Sequence, residues 1–173
     1  MKQRKLIAYL PPLLILCVAL RVWLVWDALP ERIASHFGAS GQPNAFQDKQ
    51  SFVTLSLGMM TLMYALFGLM PRLLPALPPR MVNVPNREYW LSPERREASI
   101  RKLVDHLSMV GVMTQLFMVA VYELVIRANL ARAALDNSTM FVLLGLFYAG
   151  VISSIVRIYR DFRLPEGPSD NSA

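Results

Sequence analysis

The chain is poor in the residues from which most catalytic and metal centres are built. Of its 173 residues, one is cysteine and two are histidine. A lone Cys17 excludes an internal disulfide, and it reads as a small buried hydrophobe inside an apolar stretch. No Cys/His cluster has metal-ligand spacing. No glycine-rich phosphate loop and no nucleophile elbow is present. The pattern therefore offers no catalytic residue, no metal site and no cofactor site, and a non-enzymatic function is expected. Charge is scarce too: 17% of residues are charged against 54% apolar, and Phe52–Met70 and Thr139–Val156 contain no charged residue. That excludes an ordinary soluble bundle, whose helices would each carry a polar face.

Four long apolar stretches dominate instead: Leu6–Trp26, Phe52–Leu74, Leu103–Ile126 and Thr139–Val156. Each is near the ~20 residues that a helix needs to cross a bilayer. Backbone groups cannot bond to water in lipid, so such segments must be helical. The expected fold is an all-α integral membrane protein, one domain over residues 1–173 with four transmembrane helices. An external loop spans 27–51 and a cytoplasmic loop spans 75–102. Lys2, Arg4 and Lys5 ahead of an apolar run give Met1–Ala19 the look of a signal peptide. The run continues through Arg21 to Trp26 without a small-residue cleavage site, so an uncleaved first span is expected.

The net charge of +6 could point to nucleic acid, but the cations collect beside the apolar stretches, as topology signals do. Nucleic acid is not an expected partner; the lipid bilayer is. The N-terminal tail carries three Lys and Arg, the second connection seven and the C-terminal tail three, against four on the other side. This 13-to-4 asymmetry predicts an N-in/C-in topology. Trp23, Trp26, Phe52, Tyr122 and Phe141 then fall near the outer interface, and Tyr89, Trp90 and Tyr159 near the inner one, as aromatic belts do.

Within the spans, Pro11-Pro12 favours a bend near the start of the first. Thr54 with Gly58, and Gly145, Ala149 and Ser153, form small-residue stripes of the kind that pack helices together, with a homo-oligomer through the fourth span as a further reading. Arg21 and Glu123 lie at similar depth in spans one and three. They form a candidate intramembrane ion pair, with snorkelling of each to the interface as the alternative.

Two connections carry patterns of their own. In the outer one, Pro30 suits a first helical turn, Leu29, Ile33 and Phe37 recur every four residues, and Gly38 can stop the turn. A short surface helix is expected, followed by turn chemistry at Gly41, Pro43 and Asn44. His36 stands off the stripe, either facing water or pinning the loop by a hydrogen bond. In the inner one, Ser92, Pro93 and Glu94 read as an N-cap, first turn and dipole complement. They would open one helix from Pro93 to about Ile126, ~51 Å long at ~1.5 Å per residue. Glu97 precedes Arg101 by four, the favourable order for a surface pair. Tyr89, Trp90 and Leu91 would anchor at the headgroups.

Leu29-Pro30-x-Arg32-Ile33-Ala34-Ser35-His36-Phe37-x-x-x-Gly41-x-Pro43, followed by Lys49, resembles the bacterial membrane domain-of-unknown-function family 1648. That family includes the N-terminal part of SdpI-type immunity and signalling proteins. Val84-Pro85-Asn86-Arg87-Glu88-Tyr89-Trp90-Leu91-Ser92-Pro93-Glu94-Arg95-Arg96 is similar to a second segment found in a subset of its members. Ala34 stands where many members have proline. The resemblance implies a multi-pass protein of the bacterial inner membrane. The ligand or partner candidates are Pro30, His36, Phe37, Gly41 and Lys49 on one face. On the other they are Pro85, Asn86, Tyr89, Trp90, Pro93, Glu94, Arg95 and Arg96. The expected role is a sensor, immunity or regulatory protein with a cytoplasmic or membrane protein partner. The alternatives are a small transporter or transporter subunit, and a structural membrane subunit.

Overall fold

The structure, a computed structural model, describes residues 2–165, without the side chains of residues 2–6. The cations expected in the N-terminal tail, Lys2, Arg4 and Lys5, thus have side chains outside the described residues. Helix α1 (Lys2–Val25) leads into a hairpin of β1 (Arg32–Phe37) and β2 (Pro43–Asp48). Helix α2 (Lys49–Tyr64) continues through a π-helical turn (Ala65–Leu69) and a 3-10 segment (Met70–Ala76). A short helix α3 (Arg87–Trp90) precedes α4 (Arg96–Ala131) and α5 (Asn137–Asp161). Four of these helices are long and apolar enough to cross a membrane: α1, α2 with its continuation, α4 and α5.

Apolar length explains the long helices; proline and glycine explain their irregularities. α1 runs unbroken through Pro11 and Pro12. The end of α2 loosens into π and 3-10 turns where Pro71 and Pro75 lack the N–H that the α-helical ladder needs. Helix α4 packs closely against this loosened stretch at Gly111. A Cβ there would stand 2.7 Å from that of Phe67. One turn on, Gln115 is fully buried and donates to the Met60 carbonyl at 2.6 Å, the polar bonding that ties helices together in lipid.

Two buried clusters occupy opposite ends of the bundle. Val18, Val22, Ile33, Phe52, Met60 and Ile126 belong to the one under the hairpin. Val82, Val84, Leu91, Ile100, Leu103 and Phe162 form the other. Helix α5 is attached along α4, and Ser154 is its one buried residue. Half-buried residues such as Phe147, stacked on Phe117 at 4.6 Å, complete its contact with α4, and most of its other side chains are exposed.

Several expectations are corrected. The first connection is a hairpin, not a short helix. A repeat of four is also a multiple of the strand period of two, so Leu29, Ile33 and Phe37 fit a strand face as well as a helix stripe. Gly38 and Gly41 shape its turn. Cys17 is exposed on the bundle surface rather than buried. Phe52 is buried and meets Tyr122 edge-on at 6.4 Å, so it packs in the core of the bundle. Thr54, Gly58, Gly145, Ala149 and Ser153 all face outward. Nothing lies within 4 Å of a Cβ built on Gly58 or Gly145, so these stripes do not pack the bundle. Helix α4 starts at Arg96 and runs to Ala131, and no side chain caps its start. Ser92 instead closes a preceding turn, its carbonyl accepting from the amides of Arg95 and Arg96. Its hydroxyl and, ahead of it, the amide of Glu94 hold the Glu94 carboxyl below the usual range.

Candidate functional site

At the hairpin end, β1 and β2 pair antiparallel, with Arg32 opposite Asp48, Ala34 opposite Phe46 and His36 opposite Ala45. The outer edge of β1 is completed by a side chain. The amide of Ala34 donates to Asn129 Oδ1 at 2.7 Å, and Asn129 Nδ2 donates to the Ala34 carbonyl at 3.0 Å. The hairpin turn is closed by Gly38 N–H to the Gln42 carbonyl at 2.8 Å and by Gly41 N–H to that of Gly38 at 2.9 Å. Gly41 has φ +77°, and a Cβ on it would stand 2.6 Å from the Leu135 carbonyl oxygen. That approach is used: Leu135 N–H donates to the Gly41 carbonyl at 2.8 Å, and Asn137 Nδ2 to that of Ala39 at 2.7 Å. Residues leading into α5 thus grip the turn.

Lys49 is a buried cation. Its Nζ lies 2.9 Å from Glu31 Oε1, 3.2 Å from the Trp26 carbonyl and 4.7 Å from the centre of the Trp26 ring. Three acceptors compensate its desolvation, and the base of the hairpin is tied to the end of α1. Pro30 and Phe37 are half-buried, while His36 is exposed. The chain enters α2 through Asp48, whose carboxylate accepts from Ser51 N–H at 2.7 Å. The Ser51 hydroxyl and then its amide hold the Asp48 carboxyl below the usual range. Asp136 does the same at the start of α5, held low by the hydroxyl and then the amide of Thr139.

One level deeper, Arg21 meets Glu123 in a fork, Nε to Oε2 at 3.1 Å and Nη2 to Oε1 at 3.3 Å. Arg127, one turn along α4, adds its Nε at 2.7 Å from Glu123 Oε1. One carboxylate is thus shared by two guanidiniums, which lowers the cost of holding charge at this depth.

At the other end, two donors converge on one carbonyl. Asn86 Nδ2 and Trp90 Nε1 each donate to the Phe162 carbonyl at 2.8 Å, and the Trp90 and Phe162 rings meet edge-on at 5.7 Å. Asn86 reaches this position from a left-handed conformation, φ 52°. Arg96 donates to the carbonyls of Leu77 at 2.6 Å and Pro75 at 2.9 Å, securing the end of the second span. His106 Nε2 lies 2.9 Å from Asp161 Oδ2, a second link between α4 and α5. Trp90, expected as a headgroup anchor, is therefore turned into the fold, and Leu91 is buried. Pro85 is half-buried. The Arg95 guanidinium lies 4.2 Å over the half-buried Tyr89 ring. Glu88, Pro93, Glu94 and Arg95 remain exposed.

The residues singled out in sequence therefore form two separate sites, one at each end. Asn129, Arg127, Gln115 and Phe162 were missed. Arg127 was legible from its spacing of four after Glu123, and Gln115 as an amide in mid-span. Nothing in the sequence marks the Phe162 carbonyl. Among the described residues, no group of three or more His, Cys, Asp or Glu side chains could hold a metal ion.

Residues 13–62 match the model of a family described as Domain of unknown function (DUF1648). The match runs from Leu13 in α1 through the hairpin to Leu62 in α2 and contains the whole first motif. No curated protein and no solved structure matches the chain.

Proposed function

We propose that the protein is a non-enzymatic sensor, immunity or regulatory protein of the bacterial inner membrane, coupling its hairpin to the Tyr89–Arg96 segment. One observation carries this reading: α4 and α5 hold both patterned segments, one at each end. Asn129 of α4 and Asn137 of α5, with Leu135 just ahead of α5, grip the hairpin. Phe162, at the far end of α5, receives Asn86 and Trp90. The 36 residues of α4 span ~54 Å at ~1.5 Å each. A ligand that moves the hairpin thereby moves helices on which the opposite loop is seated.

The cation asymmetry supports a hairpin outside and both termini inside. Exposed Arg32, His36 and Phe46 then offer a face to an external ligand. Exposed Glu88, Pro93, Glu94 and Arg95 offer one to a cytoplasmic partner.

Single cysteines in a Cys17→Ser background test both parts. A cysteine at position 40 should label in cells with the outer face exposed, and one at position 88 only after membrane rupture. Asn129→Ala, which frees the hairpin edge, should change the labelling rate at position 88 in the otherwise folded protein. An unchanged rate would remove the coupling and leave a structural subunit. Substrate uptake into vesicles would favour a transporter instead.

A further inference from the structure

A cleft of about 500 Å³ lies at the end of the bundle opposite the hairpin, among the first half of α1, the loosened end of the second span and the start of α4. Its size is within the ~300–1,000 Å³ of small-molecule sites. Two features of the sequence create it. The π and 3-10 turns of Ala65–Ala76 displace that segment from a regular helical path. Small residues, Ala8, Gly68 and Ser108, stand on its walls where larger side chains would fill it.

The lining is divided in chemistry. Ile7, Pro11 and Val104 give an apolar wall, and Arg72 and Arg101 are its two cationic lining residues. Arg101 is paired with Glu97 on its own helix, whereas Arg72 makes no hydrogen bond or ion pair with the described residues. Asp105 also lines the cleft and is already engaged in an interaction of its own. Arg72 stands near the end of the second span and Arg101 near the start of α4. Both stand toward the ends of helices long enough to cross a membrane, the part of such a helix that comes nearest to the bilayer phosphates. Guanidinium matches phosphate in charge and fork geometry. An apolar wall beside it suits an acyl chain.

We propose that this cleft is a phospholipid site, with the phosphate held by Arg72 and Arg101 and an acyl chain against the wall of α1 and α4. The occupant comes from the bilayer, and it fills the gap that the irregular second span leaves in the bundle. This site is independent of the sensor reading above: it does not require the hairpin to bind anything.

The test uses the purified full chain in detergent, with thermal unfolding and native mass spectrometry as readouts. Phosphatidylglycerol should raise the melting temperature saturably and survive as a bound mass. Diacylglycerol of the same chains and inorganic phosphate should do neither. Arg72→Gln and Arg101→Gln should each weaken the lipid's apparent affinity about fivefold. Ala8→Phe should block the cleft, and Ser108→Phe serves if that variant does not fold. Arg157→Gln with Arg160→Gln, exposed on α5, should leave lipid binding unchanged. An equal shift from inorganic phosphate would mean a free-anion site, and one from diacylglycerol a chain contact alone. Either result, or an equal loss in the α5 control, would overturn the proposal.

Discussion

Asn129 binds Ala34 as a neighbouring strand would, accepting from its amide at 2.7 Å and donating to its carbonyl at 3.0 Å. One side chain on a membrane helix thus satisfies both backbone groups on the buried edge of a hairpin, and its Nδ2 also reaches the Val125 carbonyl at 2.9 Å. Removing it strands buried polar groups, which costs ~1–3 kcal/mol each. Asn129→Ala should lower the melting temperature in detergent and open the hairpin to proteolysis. Asn129→Asp, which buries a carboxylate oxygen against the Ala34 and Val125 carbonyls, should cost at least as much as alanine.

Gly41 and Gly145 should respond to alanine in opposite directions. At Gly41, φ is +77° and the new Cβ would meet the Leu135 oxygen at 2.6 Å. The left-handed conformation alone costs ~1–2 kcal/mol for a residue with a side chain, and the contact adds to it. At Gly145 the space is open, and alanine in a helix interior gains ~0.5–1 kcal/mol over glycine. Thermal unfolding of the two variants decides. A neutral Gly41→Ala would mean that the turn does not need its glycine.

How far the fold could be read depended on how many physical solutions each pattern allows. An apolar run of twenty residues in lipid has one solution, so the four long helices were legible. The Leu29, Ile33, Phe37 spacing has two, and tertiary contact with Asn129 selects the strand. Asn129 itself lies beyond Ile126, where the apolar run ends and a loop was expected. Lys49 was visible as a motif residue, but its burial against Glu31 and the Trp26 carbonyl exists only once the hairpin has folded. Trp90 and Arg96 looked like surface groups because their acceptors are backbone carbonyls of distant segments, which no side-chain pattern reports.

The shared carboxylate of Glu123 predicts a measurable coupling with Arg21. A double-mutant cycle of Arg21→Gln and Glu123→Gln should give an interaction of at least ~0.5 kcal/mol, above the additivity of independent sites. The cycle should be repeated in Arg127→Gln, where the Arg21 coupling should grow because one competitor for the carboxylate is gone. Additive singles in both backgrounds would show that each charge is satisfied separately.

Asp48 and Asp136 should contribute to the acid limit of the hairpin end. Both have carboxyl values lowered below the ordinary 3.8 by capping hydrogen bonds. A group with a depressed folded value contributes its stability above the unfolded value and loses it as pH falls through the folded one. The melting temperature should therefore hold at and above pH ~5 and decline as pH falls below ~4. Asn is an equally good N-cap that does not titrate there. Asp48→Asn with Asp136→Asn should keep the neutral-pH stability and flatten the acid decline. An unaltered acid limb would assign it to other carboxylates.

The Asn86–Arg96 segment separates into residues that hold the fold and residues that remain exposed. Trp90 and Arg96 bond backbone carbonyls of Phe162, Leu77 and Pro75. Arg95 lies over Tyr89 and is otherwise exposed. Trp90→Phe keeps most of the ring packing and loses the N–H donor, so it should cost ~0.5–1.5 kcal/mol, the net worth of one hydrogen bond. Arg96→Ala removes two charge-assisted donors and should cost more. Arg95→Ala with Glu88→Ala should change stability by no more than ~0.5 kcal/mol per site, as surface substitutions do. If this end contacts a cytoplasmic partner, that stable double variant should lose the partner in a pull-down from membranes at unchanged protein level. Retention of every wild-type partner by this variant would reduce the motif to its structural role: fastening α5 and the second span to the start of α4.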